Sequence, residues 1–336
     1  MGYIDQYILF PREAKRSIKR SSPDTLFVYT DHALGPWVPL TAHRPHIIHC
    51  HDFLAQRSAK DQFIQNRVSW TGKKYQKYIR HGFSRGKNFI SISQATKHDL
   101  ESLLSEAPSR SVVVYNGLNQ NFEPGDQKAA REQLSTRTGI DLRHGFVLHI
   151  GGNHWYKNRM GVIEIYDSWR RNHAASAALP LVMIGEKAGE DMNLIKENSA
   201  CKNDIHFLHG LEDEWIRTAY RAATVFLFPS YNEGFGWPIA EAMASGCPVV
   251  TTNLEPMTEV AGGCAFLINR KPEHQDDIKA WAAQSAQTLD QAVKLSGDQL
   301  DSFVKAGLEN AKRFSSELML DKVEAIYGEV VKQKAL

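Results

Sequence analysis

The sequence predicts an α/β protein built from two doubly wound parallel sheets. Three observations carry that prediction. Short apolar runs of strand length alternate with stretches of helical periodicity along most of the chain. The 336 residues suit about two domains, at roughly 100 to 200 residues each. Charge is also unevenly divided: residues 1–145 hold 21 Lys and Arg against 13 Asp and Glu, whereas 146–336 hold 19 against 25. A basic half therefore precedes an acidic half, which points to separate roles for the two.

In chain order, the first half offers strands at 26–30, 47–50, 89–92 and 112–115. The stretch 116–143, with Pro124-Gly125 and a short charged helix at 128–134, reads as a connection. From residue 146 the alternation is fuller, with strands at 146–150, 181–184, 205–208, 225–228, 249–252 and 265–268. Helical spacing lies between them, as in Ile216, Ala219, Tyr220 and Ala223, or Ile278, Trp281, Ala282, Ser285 and Leu289. Met319, Val323, Ile326, Tyr327 and Val330 form a last helical stripe that must pack on something. The expected division is 1–125, 126–312, and a terminal helix in 313–336 that returns to the first domain.

Composition narrows the function. With 42% apolar and 23% charged residues the chain lies in the ordinary globular range, which excludes disorder, collagen-like repeats and coiled coil. A net charge of +2 disfavours a nucleic-acid binder. Cys50, Cys201, Cys247 and Cys264 show neither CxxC nor zinc spacing and read as reduced thiols, consistent with a cytoplasmic location. No apolar run approaches the roughly 18 residues of a membrane span, and residues 1–20 lack the apolar core of a secretory signal.

The most informative segment is 229–250. It follows an apolar strand, so Glu233 falls in the loop at a strand's carboxyl end, where open α/β sheets bind ligands. Gly234 and Gly236 let the backbone approach a ligand, and Pro238 suits the first turn of a helix. That helix would aim free N–H groups at an anion. Treated as one helical projection, eight residues at about 100° leave Glu241 roughly 80° from Glu233, so both carboxylates can face one ligand. Carboxylates beside a phosphate site suit sugar hydroxyls. The competing interpretation is a glutamate that caps a helix together with a buried ion pair.

Glu-x7-Glu within Pro-Ser-x-x-Glu-Gly-Phe-Gly-x-Pro-x-x-Glu-Ala-Met-Ala-x-Gly-x-Pro-Val-Val resembles the signature of family 4 retaining glycosyltransferases of the GT-B fold. Residues 146–158 resemble the first strand and phosphate loop of their nucleotide domain, 181–186 a strand near the base, and 207–220 the loop and helix before the signature. Asp31 to Gly35, His49 to Asp52, Ser91 to Ser93 and Tyr115 to Gly117 match in the first half. The resemblance implies two Rossmann-like domains facing a cleft, with sugar transfer from a nucleotide diphosphate, UDP by preference, to a glycan or lipid-linked acceptor.

It also implies residue roles. Glu233 would contact donor-sugar hydroxyls and Glu241 the ribose. The loop residues Gly151, Gly152 and Asn153, with Gly185, Leu211, Gly234, Phe235 and Gly236, would line the donor. Lys157 would neutralise the pyrophosphate, and His51 would face the donor sugar, leaving His43, His46 and His49 to structural roles. Many members carry Arg where this chain has Gly152, so Arg159 or Asn153 stands in for it. No Asp-x-Asp precedes a donor site, and Glu212-Asp213-Glu214 opens a helix, so no metal or other cofactor is expected. The family's opening strand and Gly-rich loop have no counterpart before the helix-like segment 3–20. A chain truncated relative to its kin, a reduced first domain, or one completed by a protein partner is the expectation.

A nucleotide-sugar-binding subunit that needs a partner for activity is the alternative to an enzyme. A dinucleotide dehydrogenase fails for want of Gly-x-Gly-x-x-Gly after a first strand. Between Asp61 and Asp99 there is no acidic residue, and Arg67, Lys73, Lys74, Lys77, Arg80, Arg85 and Lys87 interleave with Trp70, Tyr75, Tyr78 and Phe83. Such a 67–87 surface suits an anionic membrane face, which would make the protein peripheral to the membrane; a solvated helix with its aromatics in the core is the alternative.

Overall fold

The structure, a computed structural model, describes residues 2, 4–171 and 179–332. Tyr3 of the segment 3–20 and the last four residues of 313–336 lie outside the described residues. In chain order the elements are α1 (Phe10–Arg20), entered through a helical turn at Asp5–Leu9, β1 (Phe27–Tyr29), β2 (His46–Cys50), α2 (Leu54–Ala59) and α3 (Trp70–Phe83). Next come β3 (Asn88–Ser91), α4 (Gln94–Leu103), β4 (Arg110–Val113), α5 (Gln127–Thr138), β5 (Val147–Ile150), α6 (Arg159–Arg170) and β6 (Leu181–Ile184). Then follow α7 (Glu190–Glu197), β7 (Ile205–Leu208), α8 (Asp213–Ala222), β8 (Val225–Phe228), α9 (Trp237–Ala244) and β9 (Val249–Thr252). The chain closes with α10 (Met257–Ala261), β10 (Phe266–Ile268), α11 (Gln275–Val293), α12 (Gly297–Ala311) and α13 (Ser316–Lys332).

Two compact units result: residues 1–117 with 316–336, and residues 118–315. The first carries the four-stranded parallel sheet β1-β2-β3-β4. Alternation sends Ile48 and Cys50 of β2 to one face, where they meet Phe53, Ile79, Phe83, Phe89 and Leu100. Ile47 and Ile90 point the other way, onto Val330, Val323, Ile326 and Tyr327 of α13. His49 is hydrogen-bonded to the Tyr327 hydroxyl at 2.7 Å, and Arg110 pairs with Glu329 at 2.5 Å. The apolar stripe read at the end of the sequence is thus the lid of this sheet.

The boundary lies before residue 118 rather than after 125, because the expected connection is part of the second unit. Leu118 N–H donates to the Phe314 carbonyl, Arg217 to Gln120, and the Phe122 ring meets Tyr220. Ala130 and Leu134 bury α5 against the rest of that unit, with Arg131 Nε donating to the Ala222 carbonyl at 2.9 Å.

The second unit's six parallel strands run β10-β9-β8-β5-β6-β7. The chain enters at the centre on β5, winds outward through β6 and β7, then crosses to β8 and winds outward the other way. Strand order therefore reverses between β5 and β8, which pair through Val147 with Val225 and Leu148 with Phe226. A crevice opens at the carboxyl ends of two such strands, because their loops depart to opposite faces. β6, β8 and β9 are buried throughout, so they read as unbroken apolar or β-branched runs.

Candidate functional site

The loops after β5 and β8 meet at this switch point. Tyr231 N–H donates to the Tyr156 carbonyl at 2.7 Å, and Asn158 Nδ2 donates to the Pro229 carbonyl at 2.8 Å. Asn158 also caps α6 by accepting from Gly161 N–H, so one side chain ends the first loop and holds the second. Gly185, at the end of β6, presses on the same loop: a Cβ there would lie 2.0 Å from the Gly151 carbonyl oxygen.

Lys157 and Glu233 face each other across these loops. The ammonium donates to both carboxylate oxygens, at 2.9 and 3.0 Å, and Ser230 Oγ donates to Oε1 at 2.8 Å. Their side chains are only 14% and 7% exposed. Lys157 Nζ also lies 5.1 Å from the Phe228 ring centroid and 5.4 Å from that of Tyr156, within cation–π range.

Glu241 stands on α9, whereas Glu233 sits in the loop before it, so the helical projection joining the two does not describe their geometry. Gly236 takes φ +104° as the N-cap residue of α9, and Pro238 lies in the first turn, leaving the helix's positive end toward the loop. Phe235 is anchored edge-on to Phe314 at 5.3 Å. Tyr220 of α8, fully buried, donates its hydroxyl to Glu241 Oε2 at 2.8 Å. Burial raises the Glu241 carboxyl above its ordinary range, while the Tyr220 hydrogen bond and the Lys157 charge pull it back. Lys157 therefore acts on both glutamates. Burial also pushes the Tyr220 phenol well up, keeping it a donor.

The remaining donor-loop residues fall into two groups. Gly151 lies above His149, whose Nε2 would be 3.1 Å from a Cβ at 151. His149 is fully buried, donates Nδ1–H to the Leu227 carbonyl at 2.9 Å, and is held neutral by burial, its pKa pushed down to about 3. Gly152 faces the Glu186 carboxylate, 3.1 Å from where its Cβ would be, so the space a family arginine would enter is already occupied. Asn153 is spent within the unit: its N–H donates to Glu186, its amide to the Lys187 carbonyl, and its oxygen accepts from Arg159. Arg159 is buried and also donates to the Glu186 carbonyl at 3.1 Å, toward the β6 loop. Leu211 is half-buried in the loop after β7, next to Gly210 at φ +67°. Asp213 and Glu214 occupy the first turn of α8.

His51 belongs to the first unit. It is half-buried after β2 and donates Nε2–H to the Thr30 carbonyl at 2.8 Å, which leaves Nδ1 as its acceptor. His46 bridges the Arg44 carbonyl and Lys87 N–H, and with His49 it fills a structural role. In the 67–87 region the aromatics divide: Phe83 is core, while Trp70, Tyr75 and Tyr78 are exposed, Trp70 by 72%. Sequence reasoning missed Ser230, Tyr220, Glu186 and His149. Ser230 lay inside the quoted motif, and His149, Glu186 and Tyr220 inside the matched segments 146–158, 181–186 and 207–220, with no local signal of their partnerships.

Known proteins resemble both units of the chain. The model described as Glycosyltransferase Family 4 matches residues 3–122, and that described as Glycosyl transferases group 1 matches 145–291. O-antigen chain mannosyltransferase B of Escherichia coli is 28% identical over 246 residues, 72% of this chain and 60% of that protein. D-inositol 3-phosphate glycosyltransferase of Mycobacterium sp. (strain JLS) is 29% identical over 244 residues, 69% of this chain and 50% of its own. The chain thus spans about half to three-fifths of these relatives. The crystal structure of Anabaena Alr3699/HepE in complex with UDP and glucose superposes with TM-score 0.74 at 17% identity, covering 97% of this chain and 83% of the other. With the two models matched to the two units and the fold shared, the chain is of the glycosyltransferase family 4 type, with the GT-B architecture of two parallel-sheet α/β domains.

Proposed function

We propose that the second unit binds a nucleotide sugar, UDP-linked by preference, and that the protein transfers the sugar with retention to a glycan or lipid-linked acceptor in surface-polysaccharide synthesis. One observation carries this reading: a lysine, a helix N-terminus, the buried Glu233 and the partly buried Glu241 converge at the β5–β8 switch point. The named relatives include an O-antigen mannosyltransferase, and a structural neighbour was crystallised with UDP and glucose, which supports both donor and product class.

In the reaction the bond between the anomeric carbon and the diphosphate oxygen breaks, and the acceptor oxygen bonds to the same face of that carbon. The acceptor's proton passes to the departing diphosphate. Lys157 and the α9 amides stabilise the charge that develops there, the task a metal performs elsewhere. Glu241 orients the ribose and Glu233 the donor sugar. Exposed Trp70, Tyr75 and Tyr78 beside Lys74 and Lys77 support peripheral attachment to an anionic membrane, where such acceptors reside. Among the described residues no helix is long and apolar enough to cross a membrane.

The test is transfer of labelled sugar from UDP- and GDP-hexoses to a membrane extract. Wild-type protein should transfer label, and Glu233→Ala should reduce the rate at least about 100-fold. Undiminished transfer by Glu233→Ala would refute the assignment.

A further inference from the structure

Lys157 and Glu233 serve different parts of the donor in the reaction above, the diphosphate and the sugar, yet in the structure they are bonded to one another. The ammonium gives hydrogen bonds to both carboxylate oxygens, and Ser230 fixes the carboxylate from behind. The loops that carry them are tied together at Tyr156–Tyr231 and Asn158–Pro229, so the pair cannot separate by a shift of either loop alone. Both side chains are shielded from water, and Lys157 rests on the Phe228 ring, so little solvent competes for either charge.

A diphosphate that takes Lys157 must therefore compete with Glu233 for the same ammonium. Where it succeeds, Glu233 keeps the Ser230 hydrogen bond but loses the ammonium's compensating charge beside a new polyanion, a costly state unless other donors replace the ammonium. A sugar on the diphosphate brings hydroxyl donors to the carboxylate. A free nucleoside diphosphate has no hydroxyl beyond its terminal phosphate, and its ribose hydroxyls go to Glu241 in the same reading.

We propose that Glu233 discriminates between substrate and product: it makes the site prefer a nucleotide sugar over the bare nucleoside diphosphate, and its recapture of Lys157 drives the diphosphate out after transfer. This rests on the donor reading of the same site. It carries a sign opposite to simple contact loss, because removing the carboxylate's charge should strengthen binding of the product.

The experiment is equilibrium titration of the full chain with UDP, GDP and the corresponding UDP- and GDP-hexoses, comparing wild type, Glu233→Gln, Glu233→Asp and Lys157→Met. Glu233→Gln keeps the shape and removes the charge. It should bind the diphosphate at least 10-fold more tightly while gaining nothing for the nucleotide sugar, which inverts the wild-type preference. Glu233→Asp, with the carboxylate withdrawn by one methylene, should shift the same way by less, and it carries the test if the Gln variant fails to fold by thermal melt. Unchanged or weaker diphosphate binding in the folded variants overturns the proposal. If Lys157→Met weakens binding while neither Glu233 variant strengthens it, discrimination alone fails. If wild type binds no nucleotide or nucleotide sugar, the donor reading fails and takes this proposal with it.

Discussion

Replacing Tyr220 by Phe isolates one hydrogen bond on which the site depends. The phenol ring contacts Phe226 at 5.3 Å and Phe122 at 5.8 Å between centroids, and these packings survive the substitution. What is lost is the 2.8 Å donation to Glu241 Oε2. A hydrogen bond to a charged group contributes about 1.5–3 kcal/mol, and its loss strands a partly buried carboxylate oxygen. For a unit of this size that corresponds to a fall of roughly 3–12 °C in Tm. The pH dependence has a definite sign. Glu241 already has a raised carboxyl pKa, and removing the donor raises it further. Protonation then relieves the variant, so its deficit should be largest near pH 8 and shrink toward pH 5. Calorimetry across that range, with UDP titration at pH 8, measures both effects, and the variant should also bind UDP more weakly. A Tm within 1 °C of wild type, or a deficit independent of pH, would refute the support assigned to Tyr220.

Other outcomes follow from the same geometry. His149 stays neutral when folded down to about pH 3, whereas an unfolded histidine titrates near 6.5. Between those values the unfolded chain binds the extra proton, so this group erodes stability by about 1.4 kcal/mol per pH unit as pH falls below 6.5. His149→Gln should therefore show a shallower loss between pH 6 and 4.5 in urea melts, and an unchanged slope would contradict the burial argument. Gly185→Ala forces a Cβ to 2.0 Å from the Gly151 carbonyl, so β6 must move away from the donor loop. That change should cost at least about 2 kcal/mol in denaturation and weaken nucleotide binding, whereas a wild-type Tm would mean the close approach is relaxed at no cost. Trp70→Ala, with 72% of the residue exposed, should leave stability unaltered but reduce sedimentation with anionic vesicles several-fold; equal sedimentation would assign the 67–87 surface to solvent.

Much of the fold was legible because central parallel strands, buried on both faces, leave continuous apolar runs. Val225–Phe228 and Leu181–Ile184 stand where those runs predicted. The stretch 116–143 misled as a connection, since only three-dimensional partners such as Ala222 and Phe314 show that it belongs to the second unit. At the site, residue types were legible and partnerships were not. Lys157 and Glu233 lie 76 positions apart, and no local spacing reveals that they neutralise one another. Glu241's dependence on Tyr220 was hidden for a related reason: Tyr220 reads as one more apolar position of an amphipathic helix until its hydroxyl is placed. Asn153 looked available for phosphate because loop residues ordinarily are, yet Glu186 and the Lys187 carbonyl engage it.

The central claim is that Lys157 and the positive end of α9 form a diphosphate site. Isothermal titration of wild type and Lys157→Met with a set of UDP-, GDP- and ADP-sugars tests it most directly. Saturable binding of at least one nucleotide sugar by wild type, weakened about 10-fold or more in Lys157→Met, is the predicted result. No binding at millimolar concentrations across the set, or equal binding by the two proteins, would contradict it.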